Sequence, residues 1–156
     1  MPRSKRQKVS RLEDHVGYWL RFVSNHVSAS FARRLEKLDI SVSEWVAMRK
    51  LYDETAPISS TALAETMGMT KAPVSRLVER LVQKELVDRQ ASREDGRAQE
   101  IWLSASGRQL VPKLAAIADR NDAAFFGDLP ENTREALISI LRQIALESKL
   151  SQLPVE

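Results

Sequence analysis

Apolar residues recur along the chain at the three- and four-residue spacings that predict amphipathic helices. The clearest case is a helix predicted from Thr70 to about Lys84. Its apolar stripe consists of Val74, Leu77, Val78, Leu81 and Val82, and its opposite side carries Lys71, Ser75, Arg76, Glu79, Arg80 and Gln83. Because Arg76 and Arg80 place like charges one turn apart, an anion bound outside the chain would stabilise this helix. The polar side is therefore either a solvated face or a binding surface for something anionic.

The same spacing predicts five more helices, and residues at their ends support several of the boundaries. Ser41 and Glu44 have the spacing of a capping box. Ser59 or Ser60 can cap a short helix that ends at Gly68, and Thr70 can cap the helix that follows. The five predicted helices run from Leu12 to about Leu38, from Ser41–Ser43 to about Tyr52, from Ser59 or Ser60 to Gly68, from Ser104 to about Phe126, and from Glu131 to Lys149.

Two short strands are predicted after the helix with the polar side, at Leu86–Ala91 and Gln99–Leu103. Asp95-Gly96 indicates a tight turn between them, and Arg93 and Arg97 flank its tip. Two helices joined by a turn with glycine, followed by a hairpin with a basic tip, are the order of a winged helix-turn-helix. In such a module the second helix enters the major groove of DNA, and arginines at the tip can reach the adjacent minor groove.

Several short motifs in this region resemble the signature of the MarR family of bacterial transcriptional regulators. They are Asp88-Arg89, Asp95-Gly96-Arg97 and Leu103-Ser104, together with Leu63-Ala64 before Gly68 and Val74-Ser75-Arg76-Leu77-Val78 with Leu81. The resemblance extends over nearly the whole chain. It implies a mainly α fold with a small β-hairpin, made of a winged helix-turn-helix plus a helical dimerisation region.

The resemblance also implies how the chain is divided and assembled. Residues 12–156 would form a single MarR-type domain, with the winged helix-turn-helix at about 41–104 and dimerisation helices at about 12–38 and 104–150. The implied assembly is a homodimer on a palindromic operator in double-stranded DNA, with the two recognition helices about 34 Å apart.

The helix pattern and the resemblance together nominate the residues that contact DNA. Arg97 is the implied minor-groove residue, and Asp95 is expected to brace it by a salt bridge. Three positions depart from the family pattern. Glu85 stands where glycine is usual, so a left-handed helix end there would be strained or relocated. Ser104 replaces the usual threonine, and Pro130 stands where a capping serine or threonine is common, which leaves the start of the last helix undefined. The candidate DNA-binding residues are Ser60, Thr70, Lys71, Ala72, Ser75, Arg76, Arg80, Arg93 and Arg97, and the candidate wing-support residues are Asp88, Arg89 and Asp95.

Composition and charge narrow the class of protein. At 156 residues the chain is long enough for one domain with a real core. Its net charge of +3 is uneven, because residues 1–11 carry five basic residues and no acidic one. This segment is either a basic arm that contacts DNA or a disordered solubilising tail. The absence of cysteine excludes disulfides and thiol redox switches, and the lack of a long apolar run or signal-peptide core leads us to expect a cytoplasmic protein.

Motifs for catalysis, metals and cofactors do not stand out. The sequence has no P-loop, G-x-G-x-x-G or H-E-x-x-H pattern, so we expect neither an enzyme nor a cofactor. His15 and His26 lie about 16 Å apart along a helix and cannot hold one metal ion. A small-molecule site is more credible, since the resemblance implies a cleft lined by the first two helices. Trp19, Trp45 and Arg49 could bind an aromatic anion there, although tryptophans at helical spacing usually serve the core.

Two functions from different classes fit these observations. The first is a sequence-specific DNA-binding regulator, a dimeric repressor released by a small aromatic or anionic ligand. The second is a helical protein-interaction dimer that does not bind specific DNA. Residues 59–99 hold seven lysines and arginines against six aspartates and glutamates, so DNA binding would depend on where the charges lie and not on their number. The sequence identifies neither the operator nor the ligand.

Overall fold

The computed structural model describes residues 9–155, so most of the basic arm predicted at residues 1–11 lies outside the described part of the chain. Six α-helices and three short strands are found between residues 9 and 155. The elements are α1 (Val16–Glu36), α2 (Val42–Asp53), β1 (Ile58–Ser59), α3 (Ser60–Met67), α4 (Lys71–Gln83), β2 (Val87–Ala91), β3 (Gln99–Leu103), α5 (Ala105–Phe126) and α6 (Glu131–Glu147).

The helices confirm the predicted order, and the boundary that differs most is the start of the first helix. The first helix begins at Val16 and not at Leu12, because Leu12–Asp14 forms a separate 3-10 turn. Trp19 ties the two segments together, since its Nε1 donates to the carbonyl of Glu13 at 3.0 Å.

The strands form a three-stranded antiparallel sheet in the order β1-β3-β2. The hairpin β2–β3 was predicted, and its register pairs Val87 with Leu103 and Ala91 with Gln99. Strand β1, which pairs with β3 through Ile58 and Ile101, was not predicted. Two residues are too few to show the alternation by which a strand is recognised in a sequence.

The core lies where α2, α3, α4, α5 and the sheet meet. Helix α4 contributes the predicted stripe, and Val74, Leu77, Val78 and Leu81 are each at most 2% exposed. Burial on this scale supplies most of the favourable free energy of folding. It also fixes the rotation of α4 about its axis, so the opposite side of the helix must face solvent.

The helix ends explain how the chain enters and leaves α4. Gly68, at φ 64°, ends α3 in the left-handed conformation, as predicted. Thr70 occupies the N-cap position of α4, but its side chain makes no capping hydrogen bond with the described residues. Glu85 keeps the left-handed conformation, at φ 57°, without a glycine. Its carbonyl accepts hydrogen bonds from the hydroxyls of Ser104, at 2.7 Å, and Ser106, at 2.9 Å, which hold the strained turn in place.

The end of the chain returns to the helix-turn-helix after α6. The backbone N–H of Leu153 donates to the carbonyl of Met67 at 3.1 Å. Ser151 passes so close to Gly68 that a Cβ there would lie 2.4 Å from its carbonyl oxygen. The C-terminal segment 151–155 is therefore packed against the turn that joins α3 to α4.

Apolar side chains remain exposed on α1 and α6. On α6, Leu137, Ile138, Leu141 and Ile144 are 37% to 57% exposed. On α1, the exposed set is Val16, Trp19, Leu20, Phe22 and Val23. Apolar side chains exposed in such numbers along a helix mark an interaction site.

No helix in residues 9–155 is both long and apolar enough to cross a membrane.

Candidate nucleic-acid interface and ligand cavity

The N-terminal half of α4 presents a polar edge to solvent. Lys71, Ala72, Ser75 and Arg76 are all exposed, as is Thr70 just before them. We call these five residues the recognition edge. Thr70, Ser75 and Arg76 can offer hydrogen bonds to base edges or phosphates, and small Ala72 leaves room for close approach. The buried stripe behind this edge holds it in a fixed orientation.

Arg80 lies further along α4 and has a partner inside the protein. Its Nε is 3.6 Å from a carboxylate oxygen of Glu44, which is only 2% exposed. The same carboxylate accepts a hydrogen bond from Lys84 Nζ at 3.0 Å and from the backbone N–H of Ser41 at 2.9 Å. Arg80 was predicted to bind DNA, and that stays a prediction; within the protein, at least part of its charge balances a buried carboxylate.

Glu44 thus joins two elements, and the sequence indicated only one of its roles. The predicted capping box is confirmed, because Ser41 Oγ accepts from the backbone N–H of Glu44 at 3.1 Å while the Glu44 carboxylate bonds back to Ser41. The contacts with Arg80 and Lys84 lie 36 and 40 residues further along the chain, where no local spacing could reveal them. They fasten the start of α2 to the end of α4.

An ion pair also fastens α4 to the wing, the hairpin β2–β3. Arg89 on β2 donates to the carboxylate of Glu79 on α4. Glu79 therefore does not present an uncompensated negative charge beside the recognition edge. Arg89 was predicted as a wing-support residue, and its contact with Glu79 links the wing to α4.

The wing tip is held by backbone hydrogen bonds that leave its arginines exposed. Asp95 Oδ1 accepts from the backbone N–H of Arg97 at 3.0 Å, and the Asp95 carbonyl accepts from Ala98 at 2.9 Å. No ion pair within residues 9–155 joins Asp95 to the guanidinium of Arg97, so the expected salt bridge was wrong. Asp95 contacts the backbone of Arg97 and not its side chain. Asp95 shapes the turn and leaves the Arg97 guanidinium to solvent. Arg93 is likewise exposed.

Two other nominated residues lie at the margins of this surface. Ser60 is the first residue of α3 and is half-buried, directly after Ser59, whose Oγ caps the helix by accepting from Ala62 at 3.0 Å. Asp88 is exposed on β2 opposite Trp102 of β3. Asp88 therefore lies on the hairpin itself, and Ser60 lies at the start of the helix that precedes α4.

The residues nominated for a ligand cleft are not brought together. Trp45 is half-buried, with its ring 6.5 Å from that of Phe31, and lines a cavity of about 290 Å³ between α1, α2 and α5. Trp19 lies eight residues before Val27 of the cavity wall, about 12 Å along α1. Arg49 pairs with Asp53 at 2.6 Å and lies over the ring of Tyr52, away from the cavity lining. Of the three candidates, only Trp45 faces this cavity.

The two histidines make local contacts. His15 Nδ1 lies 2.9 Å from the carbonyl of Arg11, and His26 Nδ1 lies 2.7 Å from that of Phe22. Among residues 9–155, no group of three histidines, aspartates or glutamates is placed to hold a metal ion.

Comparison with known proteins gives a consistent set of similarities. Residues 40–98 match the model of the MarR family. Transcriptional regulator HosA of Escherichia coli O157:H7 is 27% identical over 106 residues, which are 68% of this chain and 78% of HosA. A probable transcriptional regulator from Pseudomonas aeruginosa superposes with a TM-score of 0.75 and 28% identity, covering 86% of this chain and 99% of that one. The S. aureus MepR–DNA complex has the same fold, with a TM-score of 0.76 and 24% identity over 85% and 98% of the two chains.

Proposed function

We propose that this chain, whose residues 40–98 match the model of the MarR family and whose fold is that of winged helix-turn-helix transcriptional regulators, binds a palindromic operator as a homodimer and represses transcription until a small aromatic or anionic ligand releases it. The recognition edge would enter the major groove, and Arg97 with Arg93 would reach the minor groove beside it.

The single observation that carries DNA binding is the division of α4 into two faces. Four of its apolar residues are nearly inaccessible, while Lys71 and Arg76 on the recognition edge project from a helix that the core holds in place. The acid on the same helix, Glu79, is paired with Arg89. A surface that serves only solubility does not require such a fixed arrangement, whereas reading base edges does.

Dimerisation is supported by the exposed apolar side chains of α1 and α6. Each protomer leaves these two faces uncovered, and a two-fold axis would bury both at once against the partner. The family relationship supports the same assembly. Two linked recognition helices then engage two half-sites, which raises affinity far above that of one protomer.

The C-terminal segment supports a route by which a ligand could act on DNA binding. Pro154 lines the cavity beside Trp45, and its neighbour Leu153 is bonded to Met67 at the end of α3. A molecule that fills the cavity would press on Pro154 and so on the turn before α4. Because two-state elements respond to differential contacts, this would shift the spacing of the recognition helices within the dimer.

Operator binding is tested with a labelled palindrome from the region upstream of the protein's own gene. We expect a mobility shift at nanomolar dimer, with affinity that falls steeply as salt rises because bound arginines and lysines release counterions from the phosphates. A scrambled duplex of the same length and composition is the control. Equal affinity for the two duplexes would favour the alternative, a protein-interaction dimer that does not read DNA.

Dimerisation is tested by placing a charge on the apolar face of α6. Leu141→Glu should convert the dimer to a monomer at micromolar concentration, because a carboxylate buried in an apolar interface is strongly unfavourable. Analytical ultracentrifugation measures the change. Asn132→Glu adds the same charge to α6 outside the apolar face and should leave the dimer intact. A Leu141→Glu variant that remains dimeric would exclude this face from the interface.

A further inference from the structure

A surface cavity between the end of α1 and the middle of α5 is lined mainly by basic side chains. Its volume is about 380 Å³. It shares no lining residue with the cavity beside Trp45, because the α5 residues of the two cavities differ by one position and so lie on different sides of the helix. Leu38 and Ile117 are its apolar residues, and no acidic residue between 9 and 155 lines it. Its other four residues are Arg34, Lys37, Lys113 and Arg120, which we call the α1–α5 basic cluster.

The charges of this cluster are not balanced within the described part of the protein. None of the four side chains forms an ion pair with a residue in the range 9–155. Arg34 and Lys37 lie three residues apart at the end of α1, where like charges repel but the helix dipole favours cations. Lys113 and Arg120 lie inside α5, where the dipole gives no such compensation. An anion bound in the cavity would relieve the repulsion among all four.

The lining also indicates which kind of anion fits. A guanidinium presents paired N–H donors that match the oxygens of a phosphate, and an ammonium adds a compact charge. A ligand with a single negative charge would leave most of the repulsion among four cations in place. Leu38 is 45% exposed and lines the same cavity, so it offers apolar surface to an uncharged part of the ligand.

We propose that the α1–α5 basic cluster binds an organic phosphate that carries at least two negative charges. The phosphate oxygens accept hydrogen bonds from Arg34 and Arg120, and Lys37 and Lys113 balance the remaining charge. The uncharged part of the molecule packs on Leu38 and Ile117. This site is separate from both the recognition edge and the cavity beside Trp45, and it goes beyond the function proposed above.

Calorimetry with matched probes tests the ligand class on the full-length protein. Adenosine triphosphate without magnesium carries several phosphate charges and a flat base, and adenosine has the same base without phosphate. We expect one adenosine triphosphate per protomer, with an affinity that falls as salt rises because the charges become screened. Adenosine should bind at least about ten-fold more weakly, since it forms none of the charge-assisted hydrogen bonds. Equal affinity for the two probes, or no binding of the triphosphate, would overturn the proposal.

Arg120→Gln locates the site, because Arg120 is exposed and its loss removes a cation without disturbing the core. We expect the affinity for adenosine triphosphate to fall about ten-fold, the effect of charge-assisted hydrogen bonds from one guanidinium. Arg33→Gln is the matched control. Arg33 is an exposed arginine next to Arg34 on α1, but it lines a different cavity, so its loss should leave the affinity nearly unchanged. Equal losses in the two variants would mean that the probe responds to net charge alone, which would overturn the proposal.

Two further measurements show where else the cluster or the probe could act. A loss of triphosphate binding in Arg76→Gln but not in Arg120→Gln would place the phosphates on the recognition edge. Weaker operator binding or a dissociated dimer in Arg120→Gln, with triphosphate affinity unchanged, would assign the cluster to DNA or to the partner protomer. Each of these results overturns the proposal. Operator specificity of the unaltered protein is measured without the probe, and its absence would contradict the proposed function alone.

Discussion

Arg97→Ala is expected to weaken operator binding by about ten-fold or more while leaving the fold unchanged. The Arg97 guanidinium is exposed at the wing tip, and no ion pair within residues 9–155 holds it back, so an insertion into the minor groove would form without breaking an internal contact. The narrow minor groove has a strongly negative potential that favours arginine. A contact of this type contributes on the order of 1–3 kcal/mol, and 1.4 kcal/mol is a factor of ten.

Fluorescence anisotropy with the palindromic duplex measures this loss over a range of salt concentrations. The slope of log affinity against log salt concentration should fall in magnitude by about one, since one cation that displaces counterions from the DNA has been removed. Glu94→Ala is the matched control, because Glu94 is exposed beside Arg97 on the same turn and its loss removes no cation. Glu94→Ala should not weaken binding. Unchanged affinity and slope in Arg97→Ala would remove the wing from the mechanism.

The geometry makes the wing and the recognition edge one mechanical unit. The Arg89–Glu79 pair connects β2 to α4, and the Glu44 contacts with Arg80 and Lys84 connect α4 to the start of α2. A displacement of α2 by a ligand at Trp45 would therefore move the recognition edge and the wing together. Coupling of this kind needs rigid elements that do not slide past one another. Buried and charge-assisted contacts hold elements together in this way.

The features that the sequence predicted well are set by interactions between residues that are close in the chain. The stripe of α4 follows from helical periodicity, the left-handed end at Gly68 follows from the absence of a Cβ, and the Ser41–Glu44 box follows from a spacing of three residues. Each of these features is decided within one or two turns of helix. The sequence therefore shows them directly.

The features that the sequence did not predict depend on contacts between distant segments. The two-residue strand β1 exists because β3 is there to pair with it. The partners of Glu44 and the backbone role of Asp95 are set by how α2, α4 and the wing pack. The sequence assigned Arg80 to DNA, Arg49 to a ligand and Asp95 to a salt bridge with Arg97, but only the fold decides which partner each one meets within the protein.

Glu44→Ala is expected to lower the free energy of unfolding by about 2–3 kcal/mol. The change keeps the cap from Ser41 Oγ to the backbone N–H of residue 44, but it removes the reciprocal hydrogen bond from the Ser41 backbone N–H to the carboxylate, worth about 1 kcal/mol. It also leaves Lys84 and Arg80 without the buried carboxylate between them. Breaking a fully buried ion pair costs about 3–5 kcal/mol. The side chains of Lys84 and Arg80 remain 27% and 50% exposed, so water compensates much of their loss and the total falls below that range, to about 2–3 kcal/mol. Glu44→Gln keeps the size and one acceptor for Ser41 and should lose about half as much.

Urea unfolding at a fixed dimer concentration measures both variants, since the stability of a dimer depends on concentration. Asp39→Asn is the control, because Asp39 is the other acidic partner of Lys84, at 3.4 Å, but its side chain is 91% exposed. Asparagine also tolerates the left-handed conformation that Asp39 adopts at φ 56°. An exposed pair contributes about 0–1 kcal/mol, so Asp39→Asn should change stability little. If Glu44→Ala and Asp39→Asn proved equally mild, the buried carboxylate would not be what holds α2 to α4, and the recognition edge would be fixed by apolar packing alone.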